Sequence, residues 1–246
     1  MSTYWSATRT PRYSLLFALP LFLLYEALAA GLSGDPGTHV RNAADVALKT
    51  PFLLFAGARG SLAFFATVIA AFAFVVGRDI MRAREPLRPR TFAMMLGESA
   101  VLALLLGVVV GTITQRLLGS LSIVSLQAPP GGALASMGLA TRLMLALGAG
   151  LYEELLFRVL LVGGMAAGLR WLLGGHAIAA GIASALIGAL VFSAFHYVGE
   201  YGDTFTMASF TYRAIAGLVF SGLYLTRGFG ITAWTHALYD VYVMVI

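Results

Sequence analysis

Apolar positions along this chain fall in long unbroken runs, with no strict alternation with polar ones. Residues 13–32, 61–77, 91–118, 139–173, 177–198, 210–226 and 230–246 are each dominated by Leu, Ala, Val, Phe and Gly. A helix needs roughly 20 such residues to cross a bilayer, and each run is near or beyond that length. Polar and turn-forming stretches punctuate them: residues 33–49 read as a loop, and Gln127-Ala128-Pro129-Pro130-Gly131-Gly132 as a turn-rich connection. Residues 50–60 are apolar but short and include Arg59, which suits a re-entrant or interfacial piece. The first run follows Arg9 and Arg12 and contains Ala27-Leu28-Ala29, like a signal peptide with its cleavage site; its length and Glu26 favour a retained helix. The fourth run is long enough to form more than one helical piece. The pattern predicts an all-α, polytopic transmembrane helical bundle of about seven spans plus a re-entrant or interfacial helix. Residues 1–246 form a single integral membrane domain in this reading, with 139–246 as its functional core.

Composition agrees with the pattern. Of 246 residues, 59% are hydrophobic and 11% charged, against about 25% charged in soluble domains. Mean hydropathy is +0.87. The short alternating segments of a transmembrane β-barrel are missing. Cysteine is absent, which excludes disulfides and thiolate metal sites. The net charge of +5 resides mostly in one loop and in helix ends, so it does not call for a nucleic-acid partner. The partners implied are membrane lipid and a membrane-anchored protein or peptide. An excess of Arg over Lys and abundant Ala and Gly hint at a GC-rich bacterial genome, and so at a bacterial inner (cytoplasmic) membrane.

Orientation follows from the loop holding Arg78, Arg82, Arg84, Arg88 and Arg90, where Pro86 and Pro89 break any helix. Short arginine-rich loops stay in the cytoplasm. Seven spans then place the N-terminus and the Arg170 and Arg227 ends on that side, and the acidic stretch 200–203 outside. Gly107-x-x-x-Gly111 permits close helix contact.

Candidate chemistry enters with two adjacent carboxylates inside an apolar run: Leu151-Tyr152-Glu153-Glu154-Leu155-Leu156-Phe157-Arg158. Each such group costs roughly 2.5–3.5 kcal/mol at the centre of a membrane helix, which points to a use. Glu154 and Arg158 are four apart and share a helix face, so an ion pair that braces the helix accounts for them. Glu153 has no local cation and is free to face a cavity, where a carboxylate suits proton shuttling. Two further runs supply His196, one turn after Phe192, and His236, one turn before Asp240. A single histidine on an apolar face is usually a hydrogen-bonded core residue. Acid–base groups on three separate runs read instead as one site. Bland roles suffice elsewhere. Glu26 pairs with an arginine of a neighbouring helix or lines a cavity. Glu98 reaches the interface, Arg59, Arg142 and Arg213 snorkel, and His39 and His176 are solvated in loops. Tyr152, Tyr197, Tyr201 and Tyr239 are candidates for substrate contact.

The ordered set Glu153-Glu154-x-x-x-Arg158, Phe192-x-x-x-His196 and His236-x-x-x-Asp240 resembles the CAAX-protease and bacteriocin-processing family, in particular its Rce1-type intramembrane glutamic endopeptidases. The resemblance covers residues 153–240. It implies that Glu153 and His196 activate a water, that His236 and residue 240 stabilise the oxyanion, and that Glu154, Arg158 and Phe192 support the site. Asp240 departs from the Asn often found there. An ionised carboxylate cannot donate to an oxyanion, so Asp240 is expected to be protonated or to orient His236.

Two rival readings remain open on the residues alone. Glu153, His196 and His236 could ligate zinc with an open position, although His-Glu-x-x-His is absent. The resemblance favours a metal-free reaction with no cofactor. A non-enzymatic protein, either a proton-coupled transporter or an immunity or scaffold protein, also uses acid–base residues at mid-membrane; the two related halves of many transporters are not visible.

Overall fold

The computed structural model describes residues 3–32, 40–83, 85–119, 137–199 and 202–245. The 127–132 connection, His39, Arg84, Glu200 and Tyr201 lie outside them. All regular structure among the described residues is helical: α1 (Tyr4–Ala7), α2 (Pro11–Leu32), α3 (Ala43–Ala56), α4 (Gly60–Ala83), α5 (Pro89–Leu118), α6 (Leu139–Leu172), α7 (Ala177–Phe195), α8 (Met207–Arg227) and α9 (Phe229–Val245).

The expected helical membrane bundle is what forms. Counting α3 and α4 as one apolar run, five described segments are long and apolar enough to cross a bilayer: Pro11–Leu32, Ala43–Ala83, Pro89–Leu118, Leu139–Leu172 and Ala177–Phe195. The sixth and seventh expected spans exist as α8 and α9, but fall short of that standard. At 17 residues α9 is brief, and α8 carries Arg213, Arg227 and several hydroxyl side chains. Both pack among the other helices. The bundle is apolar outside as well as inside: Phe74, Val108, Ile178 and Leu190 are all exposed. Its buried charges Arg12, Asp45, Lys49, Glu154, Arg158 and Arg227 each have an opposite charge within 4 Å, the arrangement a lipid solvent favours.

Two sequence expectations change here. The stretch 33–49 is not all loop, because helix starts at Ala43 behind an Asn42 N-cap. Asp45 and Lys49 within that stretch are buried. Residues 50–60 are not an isolated short piece: they end α3 and reverse into α4 through a tight turn at Gly57–Arg59. Any side chain at Gly60 would meet the Leu53 backbone at 2.5 Å, so glycine permits this hairpin.

Ion pairs fix one end of the bundle. Arg12 at the start of α2 is buried and within 3.9 Å of Asp79 near the end of α4. Arg227 at the end of α8 donates to Glu98 of α5 at 2.5 and 2.6 Å, and Tyr4 donates to the same carboxylate at 2.6 Å. Glu98 therefore anchors both Arg227 and Tyr4 at this end of the bundle. Arg142 donates to the Met244 carbonyl at 2.9 Å and caps α9, where snorkelling was expected. Arg213 pairs with Asp203 and donates to the Tyr197 hydroxyl. Arg59 and His176 are exposed, as expected.

Candidate active site

Small residues let the functional helices meet. A side chain at Gly150 of α6 would come within 2.4 Å of the Ala233 carbonyl and 2.5 Å of the Ala237 Cβ, so α6 and α9 cross nearly backbone to backbone. Gly188 of α7 sits against Val162 of α6, and Gly217 of α8 against Ala189 of α7. In α5, Gly107 faces Tyr239 of α9, whereas Gly111 meets nothing within 4 Å. Only one glycine of the Gly-x-x-x-Gly pair is thus at a close crossing.

Helix α6 changes its winding at the glutamates. Residues Ala149–Glu153 and Leu155–Val162 form π-helical turns between α-helical ends at Leu139–Gly148 and Gly163–Leu172. Such wide turns are uncommon and concentrate at functional sites. They sit where the sequence places Glu153 and Glu154.

Those two carboxylates point at different histidines. Glu153 Oε2 faces His196 Nε2 at 3.8 Å. Glu154 Oε1 accepts from His236 Nδ1 at 2.7 Å. Glu154 Oε2 also lies 3.1 Å from Arg158 Nε, as the four-residue spacing implied. Glu154 is therefore more than a partner for Arg158: it joins that cation to a histidine 82 positions away. Asp240 shares a face with His236, but its Oδ2 stands 3.7 Å from Nε2, beyond hydrogen-bond reach. The orienting role expected of Asp240 falls geometrically to Glu154.

His196 is fixed by its own helix. Its Nδ1 is 2.8 Å from the Phe192 carbonyl. A carbonyl only accepts, so Nδ1 carries the proton and Nε2 presents a lone pair when the ring is neutral. Phe192 supports the site in three directions, with its ring edge-on to His196 at 4.9 Å, near His236 at 6.1 Å, and beneath the Arg158 guanidinium at 4.3 Å. Phe220, which the sequence reading did not single out, stacks on His236 at 4.3 Å and lies 5.2 Å from Arg158. Arg158 is completely buried, held by charge and by two ring faces.

The largest omission from the sequence reading is Asn42. Its Nδ2 donates to Glu153 Oε1 at 2.9 Å across 111 residues. Glu26, expected to pair with an arginine or to line a cavity, pairs with Lys49 at 2.9 Å and accepts from Tyr152. That contact gives Tyr152 an internal role. Tyr239 hydrogen-bonds Tyr212, and Tyr197 hydrogen-bonds Ser209.

The three motifs read from the sequence thus converge in space. Residues 135–242 match the family model described as type II CAAX prenyl endopeptidase Rce1-like. This part of the chain, a little under half of it, is similar to that family. No curated protein and no solved structure matches the chain. The matched stretch runs from α6 into α9 and contains both glutamates, both histidines and Asp240. The family so described is one of CAAX-type endopeptidases, and the apolar helices around the matched stretch are those of an integral membrane protein. Among the described residues, no group of three or more His, Asp or Glu side chains is arranged to hold a metal ion.

Proposed function

We propose that the protein is an intramembrane endopeptidase that activates water with Glu153 and His196 and cuts proteins or peptides near membrane-associated C-termini. One observation carries the reading. Glu153 Oε2 is buried with no hydrogen-bond partner, and it faces the lone-pair nitrogen of His196 at 3.8 Å. Both groups are acceptors, and one water oxygen can lie within hydrogen-bond reach of the two. Its protons would point to Glu153 and His196, and its remaining lone pair to a scissile carbonyl.

In the reaction, water oxygen bonds to the carbonyl carbon and gives one proton to Glu153. The oxyanion that forms faces His236 Nε2. Because Nδ1 donates to Glu154, Nε2 donates only from the imidazolium, which opposes the oxyanion with a positive charge. Glu154 and Asp240 flank that ring as counter-charges. Collapse of the intermediate breaks the C–N bond, and the proton on Glu153 goes to the leaving amine. Arg158, Phe192 and Phe220 hold the histidines and Glu154 in place. No metal enters this scheme.

The geometry also bears on the substrate's side of the membrane. His196 lies at the end of α7 opposite the bundle face that carries Arg12, Asp79 and Arg227. With the arginine-rich loop in the cytoplasm of a bacterial inner membrane, the site opens outward, towards exported, membrane-anchored substrates such as sorting tags. Purified Glu153→Ala and His196→Ala are to be compared with wild type on a panel of C-terminal peptides, CaaX-like sequences included. Both variants are expected to be inactive. Unchanged processing in both would end the protease reading and leave a transporter or an immunity or scaffold protein.

A further inference from the structure

We propose that Asn42, which lies outside the Rce1-like stretch, is a positioning residue for Glu153: its amide holds one carboxylate oxygen so that the other faces His196. The proposal rests on the role given above to Glu153. Asn42 is the N-cap of α3. Its Oδ1 accepts from the backbone N–H of Ala44 at 2.9 Å and of Asp45 at 3.3 Å. Those two donors fix the amide's rotation, since only its oxygen can accept from them, and leave Nδ2 as the atom that meets Glu153 Oε1 at 2.9 Å. An amide is well suited to this position. A lysine or arginine would also hold the carboxylate, but its charge would weaken Glu153 as a base; a neutral donor orients without neutralising.

Two features outside that hydrogen bond belong to the same arrangement. Helix α6 approaches α3 through Gly148, where a Cβ would stand 2.9 Å from Asn42 Cβ and 2.5 Å from the Tyr25 ring. Glycine at that position lets Glu153 reach the amide. The first turn of α3 is in turn bolted down through Asp45, which is fully buried. Asp45 accepts from Tyr25 at 2.8 Å and Arg41 at 3.2 Å, and lies 2.6 Å from Lys49. Lys49 reaches Glu26 of α2, and Glu26 accepts from Tyr152, the neighbour of Glu153. The polar cluster between α2, α3 and α6 therefore gives the cap a fixed place relative to the carboxylate. An N-terminal helix hairpin outside the matched stretch completes the site.

Capping and positioning are separable. Asn42→Ser and Asn42→Asp both retain a good N-cap oxygen. Ser is too short to reach Glu153, and Asp replaces the donor with a like charge. Each variant is purified and assayed on a peptide that wild type cleaves, with Glu153→Gln as the reference for a lost base. Losing a hydrogen bond to a charged group predicts a kcat lower by about 10- to 100-fold in Asn42→Ser, with KM held within about twofold, and a larger loss in Asn42→Asp. Tyr25→Phe, which loosens Asp45, is expected to lower kcat alone but to add little to Asn42→Ser. An infrared carboxylate band that vanishes in Glu153→Gln should shift in Asn42→Ser. Wild-type kcat in both cap-retaining variants, with Glu153→Gln inactive, overturns the proposal alone. An active Glu153→Gln overturns the glutamate mechanism first, and the infrared band then still reports whether Asn42 grips the carboxylate.

Discussion

His236 Nδ1 donates to Glu154 Oε1 at 2.7 Å while Glu154 Oε2 stands 3.1 Å from Arg158 Nε, so one fully buried carboxylate serves both groups. Removing it strands a buried guanidinium. Loss of one partner from a buried ion pair costs about 3–5 kcal/mol. Glu154→Ala is accordingly expected to unfold at markedly lower denaturant in detergent and to be inactive. Glu154→Gln, which keeps the shape and one acceptor oxygen, should be more stable than Glu154→Ala, with reduced activity because the hold on His236 is weaker. Wild-type stability in Glu154→Ala would show that the carboxylate does not carry this load.

The crossing of α6 and α9 depends on Gly150, whose Cβ position is 2.4 Å from the Ala233 carbonyl. Backbone cannot give way as a flexible side chain does. Gly150→Ala is expected to cost about 1–3 kcal/mol by overpacking and to lower activity by displacing Glu153 from His196. Gly164→Ala, in the same long helix but with nothing within 4 Å, is the control and should be neutral. Equal behaviour of the two variants in unfolding and turnover assays would count against the close crossing.

Much of this was legible because the governing interactions are local. Runs of apolar residues set the helices, and four-residue spacing put Phe192 with His196, His236 with Asp240, and Glu154 with Arg158. Asn42 was not legible: its partner is 111 residues away, and its own neighbourhood reads as a loop. Asp45 and Lys49 were not singled out for a related reason. A hydropathy reading sends charges to solvent, yet these two neutralise each other one turn apart and tie to Glu26. Glu26 was given either an arginine partner or a cavity to line; its actual partner is Lys49, because pairing across helices leaves no trace in a one-dimensional pattern. The wide turns of α6 likewise have no composition signal.

Chelation separates glutamate chemistry from zinc chemistry. The proposed steps need no metal, and among the described residues no three His, Asp or Glu side chains are arranged around a common ion position. Activity is expected to persist within about twofold after dialysis against a strong chelator, whereas a zinc-activated water would be lost. Elemental analysis of the same sample should give no stoichiometric metal. Inactivation reversed by added zinc would replace the scheme.

A chain without cysteine is ready for accessibility mapping. Thr204→Cys lies just beyond the His196 end of α7, and Arg88→Cys lies in the arginine-rich loop; both positions are exposed. In intact cells a membrane-impermeant maleimide is expected to label residue 204 and spare residue 88. Labelling at 88 alone would put the site on the cytoplasmic side and remove the argument for exported substrates.

Residue 240 tests how the oxyanion is held. Asp240 Oδ2 is 3.7 Å from His236 Nε2, so the two polar groups face one space without bonding each other. A carboxylate there can balance the imidazolium but donates only when protonated; an amide of the same shape always donates. Asp240→Asn trades the counter-charge for a permanent donor and is therefore expected to retain activity well above that of Asp240→Ala. Asp240→Ala removes both roles and should lower kcat by about 10-fold or more, in the range found for a lost oxyanion donor. If Asp240→Asn were as inactive as Asp240→Ala, the negative charge itself would be the requirement. Residue 240 would then act only through His236, as the counter-ion that keeps Nε2 protonated.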